Sequence, residues 1–568
     1  MTADELEEFI QQLSSPSIVR WHKEGERQYD FELKGKKHNW NISLHFPSKF
    51  PYQLPIAELL DKSFIGTIPH VNKDGVICIE ESDSVLIDYK RPIAVIESYL
   101  SDALCLLERV KLKIYQDELF DEYEGYFESN PKVNSFYYAQ DNLEQVSLKI
   151  IYKENYRVEK YAIPALLYDK NSPLPLEFSN VGENNDLQVI NIIHLPLLEP
   201  ALPPANGEDI SSNYLTSLQR NISDKNAVKL NNLLKKERSK NQFFVLLSFP
   251  RSSGERSLLL LQFTANQALE HPLLSSDERW GIKPHSIQRH NKGYLLERGG
   301  ANNILTTKKV AVVGCGSVGS EVVSLLAKTG IGKIIMVDDD ALEADNIYRH
   351  RLGGRYLNFK PNPKSGVISK VYKVSALADE LRNNLPHIKL SAKPIKFEKA
   401  AYDKDFLSTD LVIVAVGSPT TNLLINKKLK ALGLHNVIFC WNEAAGYGGH
   451  SVALNLIQSC FECLYTNTVG FTLEGELNLL NTGQQISKNL TGCAGVFTPF
   501  SNLDSTNTAI LAAQQSLDFL LNSKHSVAIT WKGNGNYRLE TTSRYDSIAL
   551  KDQVDLVKNK NCRVCNEQ

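Results

Sequence analysis

The chain has 568 residues, a hydrophobic content of 42% and a formal net charge of −2 at pH 7. A chain of this length is expected to hold about three domains, each large enough for its own core. The near-neutral charge gives no reason to expect a nucleic-acid-binding surface. The acidic N-terminus lacks a signal-peptide pattern, and no apolar run reaches the roughly 18 residues of a membrane helix, so we expect a cytoplasmic protein that does not bind membranes.

Residues 1–130 are predicted to form a first α/β domain. Apolar residues at positions 6, 9, 10 and 13 have the spacing of an amphipathic helix. Residues 29–33 and 40–46 alternate apolar and polar side chains on either side of Gly35, which predicts a hairpin. A second helix is predicted to begin near Pro92, because proline is tolerated in a first helical turn. Cys105 falls within this apolar helix and is expected in the core.

One segment of this domain carries a candidate reactive thiol. Residues 46–55 read F-P-S-K-F-P-Y-Q-L-P, and residues 69–79 read P-H-V-N-K-D-G-V-I-C-I with the cysteine at position 78. Both resemble segments of ubiquitin-conjugating enzymes, the proline-rich stretch and the active-site stretch. The resemblance implies that Cys78 carries a thioester. The family asparagine falls on His70, whose side chain is a candidate oxyanion donor with an open role. The alternative is that Cys78 is a buried strand cysteine, because Ile77 and Ile79 flank it.

Residues 131–285 are predicted to form a β-containing linker domain. Residues 146–152, 189–194 and 243–249 are short β-like runs, and the basic stretch 229–240 is predicted to be helical. No chemical motif stands out here. The favoured interpretation is a structural spacer.

Residues 286–568 alternate strand and helix patterns. The apolar runs 310–313, 333–337, 410–416 and 436–441 have strand length, and helices are predicted at 320–329, 371–383 and 507–521. This alternation is typical of a doubly wound, Rossmann-type parallel sheet.

A glycine-rich turn follows the first of these strands. Gly314, Gly316 and Gly319 stand between a predicted strand and a predicted helix, where glycines permit a tight turn and a close approach of backbone to phosphate. Asp338 ends the next strand, where an acid can bind ribose hydroxyls. By itself this pattern indicates some nucleotide, or only a turn in an ordinary α/β fold.

The residues that follow narrow the interpretation. The aspartates at 338–340 and the stretch N-I-Y-R-H at 346–350 resemble motifs of the ThiF, MoeB and ubiquitin-activating superfamily. The resemblance implies a ThiF-like adenylation domain that uses ATP and Mg²⁺. It implies ribose binding by Asp338 or Asp340, and contacts of Asn346 and Arg349 with the ATP phosphates.

Two further positions of that family are less clear in this chain. Counting back from the L-P-H-I at 385–388 places the family lysine at Lys373, with Lys364 and Lys370 as rivals. The family usually has an aspartate after the third strand that helps to place magnesium, whereas this chain reads V-G-S-P at 416–419. Metal placement then falls to other groups, of which Asp340 is one candidate.

The cysteines suggest metal and thiol chemistry. The nine cysteines are an odd number, and four of them form two C-x-x-C pairs, Cys460 with Cys463 and Cys562 with Cys565. Four thiolates suit tetrahedral Zn²⁺, so a structural zinc is predicted, with free or redox-active dithiols as the alternative.

An additional cysteine lies between the two pairs. Cys493 stands in the small-residue stretch N-L-T-G-C-A-G at 489–495, shortly before a predicted helix. The resemblance to ubiquitin-activating enzymes implies that Cys493 accepts the activated carboxylate as a thioester. Cys315 and Cys440 fall in turn and strand contexts and are expected in the core.

A conjugating domain ahead of an activating domain resembles the fusion enzymes of bacterial CBASS anti-phage operons. The resemblance implies that a partner's free C-terminal carboxylate is adenylated, passed from Cys493 to Cys78, and conjugated to target lysines. It points to a cGAS-like nucleotidyltransferase as the partner and to a homodimer. Two alternatives stay open: a sulfur-carrier-protein adenylyltransferase whose N-terminal domain only docks partners, and an inactive scaffold that binds a tail.

Overall fold

The computed structural model describes most of the chain, and it divides into two compact units, 1–291 and 292–568. The described residues are 1–79, 85–109, 116–121, 123–126, 133–139, 142–152, 157–158, 161–169, 172, 188–204, 209–251, 256–275, 277–357, 364, 366, 368, 370–385, 387–465, 467–469, 471–489, 496–522 and 525–566. Within them, no helix combines the length and apolar character needed to cross a bilayer. The predicted domain boundaries near residues 130 and 285 stay predictions.

The first unit begins with a five-stranded antiparallel sheet whose strands follow chain order. The strands are β1 (Ile18–Gly25), β2 (Gln28–Leu33), β3 (Trp40–His45), β4 (Ile56–Leu59) and β5 (Val76–Ile77). Helices Ala3–Gln11 and Pro92–Arg109 contribute buried residues to the same core. The predicted hairpin is confirmed as β2 and β3. The edge strand β1 escaped prediction because it is largely exposed and its charged residues hide the alternation of apolar side chains.

The second sheet of this unit closes on itself. Its strands are β6 (Val133–Tyr137), β7 (Ser147–Tyr152), β8 (Arg157–Val158), β9 (Tyr161–Tyr168), β10 (Gln188–Pro196), β11 (Lys240–Pro250), β12 (Arg256–Leu269) and β13 (Gly281–Arg289). They lie in the order β6-β13-β12-β11-β10-β7-β9-β8, and β6 also pairs with β9. We call this closed sheet the barrel.

Both faces of the barrel are apolar, which explains the run of four leucines at 258–261. Leu246 and Leu260 belong to one buried cluster, while Leu247 and Leu261 belong to another on the opposite face. The second cluster also contains the core of the five-stranded sheet, so the two sheets of the first unit share one continuous core. A strand buried on both faces is continuously hydrophobic rather than alternating.

Two helices, Ser212–Gln219 and Asp224–Leu234, pack on this core. The basic stretch 229–240 was predicted to be entirely helical, which is wrong. The helix ends at Leu234, and Lys240 begins β11. The antiparallel pairing of β11 with β12 begins at Lys240 and sets the strand conformation there, because tertiary pairing outweighs the helical preference of lysine-rich residues.

The second unit contains one large sheet in the order β16-β15-β14-β17-β18-β19-β24-β25. Its strands are β14 (Lys309–Val313), β15 (Lys333–Val337), β16 (Leu390–Lys393), β17 (Leu411–Val414), β18 (Asn436–Asn442), β19 (Gly448–Asn455), β24 (Val527–Lys532) and β25 (Lys551–Asp555). The strands from β16 to β18 are parallel, which confirms the doubly wound fold. Beyond β18 the sheet continues with antiparallel strands that the sequence did not reveal.

Helices cover both faces of this sheet. Side chains of β14 alternate between two buried clusters, with Val310 and Val312 in one and Ala311 and Val313 in the other. The three predicted helices are confirmed with shifted ends, at Ser317–Lys328, Lys373–Asn384 and Asn502–Leu521. The other helices are Lys292–Arg298, Phe397–Ala400, Lys404–Leu407, Pro419–Ala431, Ser543–Ser547 and Arg563–Asn566. Four short strands complete the unit: β20 (Asn467–Val469), β21 (Thr472–Glu474), β22 (Lys488–Asn489) and β23 (Val496–Phe497).

Candidate functional site

The glycine turn lies at the carboxyl end of β14. Gly314 has a φ of +81°, which favours glycine, and a Cβ on Gly319 would lie 1.9 Å from the carbonyl oxygen of Gly314. The helix Ser317–Lys328 then begins with Gly316 as its N-cap residue and no side-chain cap. The turn therefore brings a helix N-terminus with open backbone N–H groups to this edge of the sheet.

A cavity of about 340 Å³ opens beside this turn, and we call it the glycine-turn cavity. Part of its lining follows the ends of β14, β15 and β17, namely Gly314, Gly316, Asp338, Asp339, Asp340 and Gly417. Two helices that begin nearby contribute Lys373 and Thr421. The carboxyl ends of parallel strands meet at one edge of a sheet, which is why these distant residues share one cavity.

The aspartates after β15 are held by backbone and lysine contacts. Asp338 accepts hydrogen bonds from the N–H of Cys315 at 2.7 Å and from the N–H of Asp340 at 2.8 Å. Burial raises the pKa of Asp338 above its ordinary value, and the two N–H donors oppose that shift. The three aspartates place one oxygen each within 4.8 Å of one another, a set of donors of the kind that Mg²⁺ prefers.

Of the three candidate lysines, the structure brings Lys373 to these aspartates. Its side chain is buried, and Nζ lies 2.9 Å from a carboxylate oxygen of Asp340. Lys373 is the first residue of the helix Lys373–Asn384. Lys370 lines a different surface cavity, and Lys364 is exposed.

The N-I-Y-R-H stretch follows a short turn at Ala344–Asn346. The Asn346 side chain accepts a hydrogen bond from the N–H of Glu343 at 3.1 Å. The guanidinium of Arg349 lies 5.0 Å from the ring centroid of Phe500, within the range of a cation–π contact. Phe500 belongs to the segment that follows Cys493 in the chain.

His350 has a role that the sequence did not reveal. Its Nε2 lies 2.8 Å from the carbonyl oxygen of Cys315, and its Nδ1 accepts the N–H of Leu352 at 3.0 Å. Burial lowers the pKa of His350 to about 4, so the ring is neutral with its proton on Nε2. His350 thereby holds the carbonyl group of Cys315 in the glycine turn. The sequence signal for this role was the position of His350 directly after Arg349 in the N-I-Y-R-H stretch.

The two C-x-x-C pairs converge on one point. Sulfur–sulfur distances are 3.9 Å from Cys460 to Cys463, 3.5 Å from Cys460 to Cys562 and 3.7 Å from Cys463 to Cys565. Four thiolates bound tetrahedrally at a Zn–S distance of about 2.3 Å would lie roughly 3.8 Å apart, so these residues fit zinc. We call them the cysteine cluster.

Neighbouring donors favour a thiolate at one position of this cluster. The hydrogen bond from Cys460 and the N–H of Asn559, 3.5 Å from its sulfur, lower the pKa of Cys463, whereas the same hydrogen bond and burial raise the pKa of Cys460. The ammonium of Lys430 lies 3.5 Å from the sulfur of Cys565. Both features suit a site that holds a divalent cation.

The remaining cysteines differ in exposure. Cys493 lies outside the described residues, in a segment that joins β22 to β23, and these two strands pair with each other. Cys315 and Cys440 are buried, as predicted. The prediction that Cys105 lies in the core is wrong, because it is exposed. The helix Pro92–Arg109 buries positions 96, 100, 103 and 107, and Cys105 lies off that face.

Cys78 lies at the end of a hydrogen-bonded loop, residues 70–78, which we call the Cys78 loop. The side chain of Asn72 accepts the N–H groups of Asp74 and Val76, and the N–H of Cys78 donates to the carbonyl of His70 at 2.7 Å. His70 has a φ of +63°, a strained conformation for a residue other than glycine. Cys78 is exposed, so its interpretation as a buried strand cysteine is wrong.

A tyrosine that sequence reasoning missed lies near this thiol. Tyr99, on the helix Pro92–Arg109, is buried. Burial raises the pKa of Tyr99 to about 12, with a smaller contribution from the neighbouring Cys78. The phenol therefore stays protonated beside the thiol at neutral pH.

Two family profiles match separate parts of the chain. Residues 12–136 match the prokaryotic E2 family B, and residues 293–531 match the ThiF family. The first match covers the five-stranded sheet and the Cys78 loop, and the second covers the glycine-turn cavity. The chain therefore joins an E2-type domain to a ThiF-type domain, as the motifs predicted.

Curated relatives match in part. The ATP-dependent ubiquitin transferase-like protein Cap2 of Pseudomonas aeruginosa is 27% identical over 299 residues, 51% of this chain and 49% of the relative. Its Escherichia coli counterpart is 24% identical over 274 residues, 46% of this chain and 41% of the relative. The adenylyltransferase and sulfurtransferase UBA4 of Saccharomyces cerevisiae is 26% identical over 197 residues, 34% of this chain and 41% of the relative. The chain thus spans less than half the length of each of these relatives.

Solved structures that match part of this chain include crystal structures of E. coli MccB. The complex with ATP is 18% identical with a TM-score of 0.31, covering 48% of this chain and 69% of that chain. The complex with MccA-N7isoASN is 19% identical with a TM-score of 0.31, covering 48% and 70%.

Proposed function

We propose that this protein activates the C-terminal carboxylate of a partner protein with ATP and conjugates it to a target amine. The observation that carries the proposal is the convergence of the glycine turn, three aspartates and Lys373 on one cavity. The exposed thiol of Cys78 on a braced loop in the other unit supports the conjugating half. The match to E2 and ThiF families, and to relatives named ATP-dependent ubiquitin transferase-like proteins, supports the combination.

The first step is adenylation. A carboxylate oxygen of the partner attacks the α-phosphorus of ATP, the bond to the β-phosphate bridge breaks, and pyrophosphate leaves. Two anions repel each other in this step, and the cations of Arg349 and Lys373 offset that repulsion. Gly314, Gly316 and Gly319 allow the phosphates to approach the backbone, Asn346 contacts them, and Asp338 or Asp340 binds the ribose. Mg²⁺ would be held by the aspartates at 338–340 and would neutralise phosphate charge.

Acyl transfer follows through two thiols. The thiolate of Cys493 attacks the acyl carbon and AMP leaves. The thiolate of Cys78 then attacks the thioester and releases Cys493. A deprotonated lysine amine of the target attacks the second thioester, forms an amide and releases Cys78. His70, beside Cys78 through its carbonyl, is the candidate for stabilising the oxyanion.

Zn²⁺ is proposed as a structural ion. Cys460, Cys463, Cys562 and Cys565 would hold it, and its binding would tie residues 562–565 to residues 460–463. Its removal should loosen this end of the unit before it alters thiol chemistry elsewhere.

The proposed partner is a cGAS-like nucleotidyltransferase in anti-phage defence, and the proposed assembly is a homodimer. Both extend the resemblance to CBASS fusion enzymes. A partner that lacks its last residue should no longer be adenylated. Sedimentation as a monomer would contradict the homodimer.

Two cysteine substitutions test the relay. Cys78→Ala should leave a thiol-sensitive adduct on Cys493 and abolish the conjugate, and Cys493→Ala should leave both cysteines unloaded on non-reducing gels. The exposed Cys105 supplies the control, because Cys105→Ala should change neither adduct nor conjugate. If Cys493→Ala still loads Cys78, the proposed order is wrong.

A second candidate is a sulfur-carrier-protein adenylyltransferase whose first unit only docks partners. The similarity to the adenylyltransferase and sulfurtransferase UBA4 favours it. It predicts an acyl adenylate that accumulates without any thioester on Cys78. A third candidate, an inactive tail-binding scaffold, predicts no ATP consumption.

A further inference from the structure

Two short helices, Gln116–Asp121 and Tyr123–Tyr126, lie between the Cys78 loop and the barrel. We call their residues 116–121 and 123–126 the bracing segment. All of these parts belong to the first unit. The segment makes specific contacts in both directions, whereas a simple connection between two domains would need none.

On one side the bracing segment holds the Cys78 loop. The backbone N–H of Lys73 donates to the carbonyl of Tyr126 at 3.1 Å. A carboxylate oxygen of Glu118 lies 3.6 Å from Nε2 of His70. Lys73 and His70 both precede Cys78 in the loop, so the segment restrains the backbone that presents the thiol.

On the other side, two tyrosines of the segment contact β11 of the barrel and residues between β10 and β11. The ring of Tyr123 is fully buried, its centroid lies 4.1 Å from that of Phe249, and its hydroxyl lies 2.5 Å from that of Tyr214. The hydroxyl of Tyr126 donates to the carbonyl of Pro204 at 3.0 Å. Tyr126, whose carbonyl accepts the N–H of Lys73, is therefore itself held by Pro204, which follows β10 in the chain.

Glu124 joins the segment to three neighbouring strands. One carboxylate oxygen accepts from Arg251, after β11, at 2.9 Å, and the other accepts from Arg289, in β13, at 2.5 Å. The second oxygen also accepts the backbone N–H of Leu258 in β12. The side chain of Arg289 is only 3% exposed. A cation so far removed from water needs an anionic partner, which makes this carboxylate hard to replace.

We propose that Glu124 is a positioning residue for Cys78 and that the barrel is the support of the conjugating site. The inference rests on the proposed role of Cys78 but concerns the geometry of its loop. The chain of contacts runs from β11, β12 and β13 through Glu124 and Tyr126 to Lys73. The barrel accordingly does more than separate two catalytic domains, because the Cys78 loop depends on it for its conformation.

Hydrogen exchange of the full-length protein tests the geometry independently of activity. Glu124→Gln removes the charge that pairs with Arg251 and Arg289, and amides of residues 70–78 should then exchange about tenfold faster. Ser135→Ala is the matched control, since it removes a buried hydrogen bond of the same barrel to His285, at 3.0 Å, and leaves Glu124 and its partners intact. It should lower overall stability without a selective effect on residues 70–78.

Tyr126→Phe provides a second variant if Glu124→Gln fails to fold. It deletes the hydroxyl bound to Pro204 and keeps the ring, and it should accelerate exchange in the same peptide. In a conjugation assay, both variants should lower the kcat for discharge of the Cys78 thioester about tenfold and leave the KM for the amine unchanged. Equal exchange in residues 70–78 for Glu124→Gln, Tyr126→Phe and Ser135→Ala would overturn the inference. Selective loosening of the loop with no thioester on Cys78 in any form would keep the inference and refute the proposed function.

Discussion

Gly314 follows β14 and Asp338 follows β15, two adjacent parallel strands of the second unit. In a parallel sheet the carboxyl ends of the strands meet at one edge. The fold itself therefore assembles the glycine-turn cavity. Cys78 in the first unit follows β5, the last strand of an antiparallel meander. Its surroundings come from the hydrogen bonds of one loop and from a segment anchored in a different sheet. The candidate residues of the second unit are thus brought together by the topology of its sheet. Those around Cys78 are brought together by packing between parts that are distant in the chain.

The stabilities of the two units should differ most at acidic pH. The first contains three buried histidines, and burial lowers the pKa of His194 to about 4, of His271 to about 4 and of His285 to about 3. In the second unit, burial lowers the pKa of His350 to about 4. Unfolded histidine has a pKa near 6.5, so between pH 6.5 and 4 the unfolded state binds more protons. The contribution of these neutral histidines to the free energy of unfolding is therefore fully present above pH 6.5. It is lost as the pH falls from 6.5 towards 4.

The expected loss is on the order of 3 kcal/mol for each buried histidine at pH 4. Hydrogen exchange measured from pH 7.5 to 4 should show the first unit losing protection at higher pH than the second. His285→Gln keeps a side chain that can hydrogen-bond to Ser135 and removes one titrating group, so it should flatten the pH dependence of the first unit. Loss of the second unit first would contradict the prediction.

Disrupting the cysteine cluster should make the second unit unfold before the first. Cys562→Ser removes one of the four sulfur donors, and this one is buried. We expect the free energy of unfolding of the second unit to fall by more than about 4 kcal/mol, as when a structural metal is lost. Thermal unfolding followed by limited proteolysis should show cleavage of residues 292–568 at a temperature where residues 1–291 resist. Cys440→Ser, in a buried strand outside the cluster, is the control for a mere change of a buried thiol. Zinc content unchanged by Cys562→Ser would refute the assigned ligands.

A single lysine should separate catalysis from stability in the second unit. Lys373→Ala should slow partner-dependent pyrophosphate exchange by about 10²–10³-fold, because it removes a cation from the cavity where charge develops. Lys370→Ala is three residues away and lines another cavity, so its exchange rate should stay near that of the unaltered protein. An equal loss in both variants would show that the cavity does not select Lys373.

The smallest effect is expected in the Cys78 loop. Asn72→Ala leaves the N–H groups of Asp74 and Val76 without their side-chain acceptor and should cost about 1–2 kcal/mol of local stability. Discharge of the Cys78 thioester should slow accordingly. Asn142 makes a similar turn with the N–H of Glu144 at 2.9 Å, so Asn142→Ala is a matched control that should leave discharge unchanged. Unaltered discharge in Asn72→Ala would show that this turn does not shape the site.

Much of the second unit was predictable because its signals are local. Alternation of apolar runs and helices indicated the parallel sheet, and the glycine turn, the aspartates and the C-x-x-C pairs are short motifs with narrow chemical uses. Spacing favoured Lys373 but left Lys364 and Lys370 as rivals. The choice among the three depends on where one helix begins and on which lysine reaches Asp340.

The first unit was predictable only in part. The sequence by itself determined the hairpin, the helix after Pro92 and the similarity of the Cys78 segment to a conjugating site. Only the tertiary structure decided that the middle strands close into a barrel, that Cys105 and Cys78 are both exposed, and that Glu124 links Arg251 to Arg289. The physical reason is the separation in sequence over which each kind of interaction acts. Periodicity and motif spacing act over a few residues, whereas closure, burial and ion pairing join residues that are far apart in the chain.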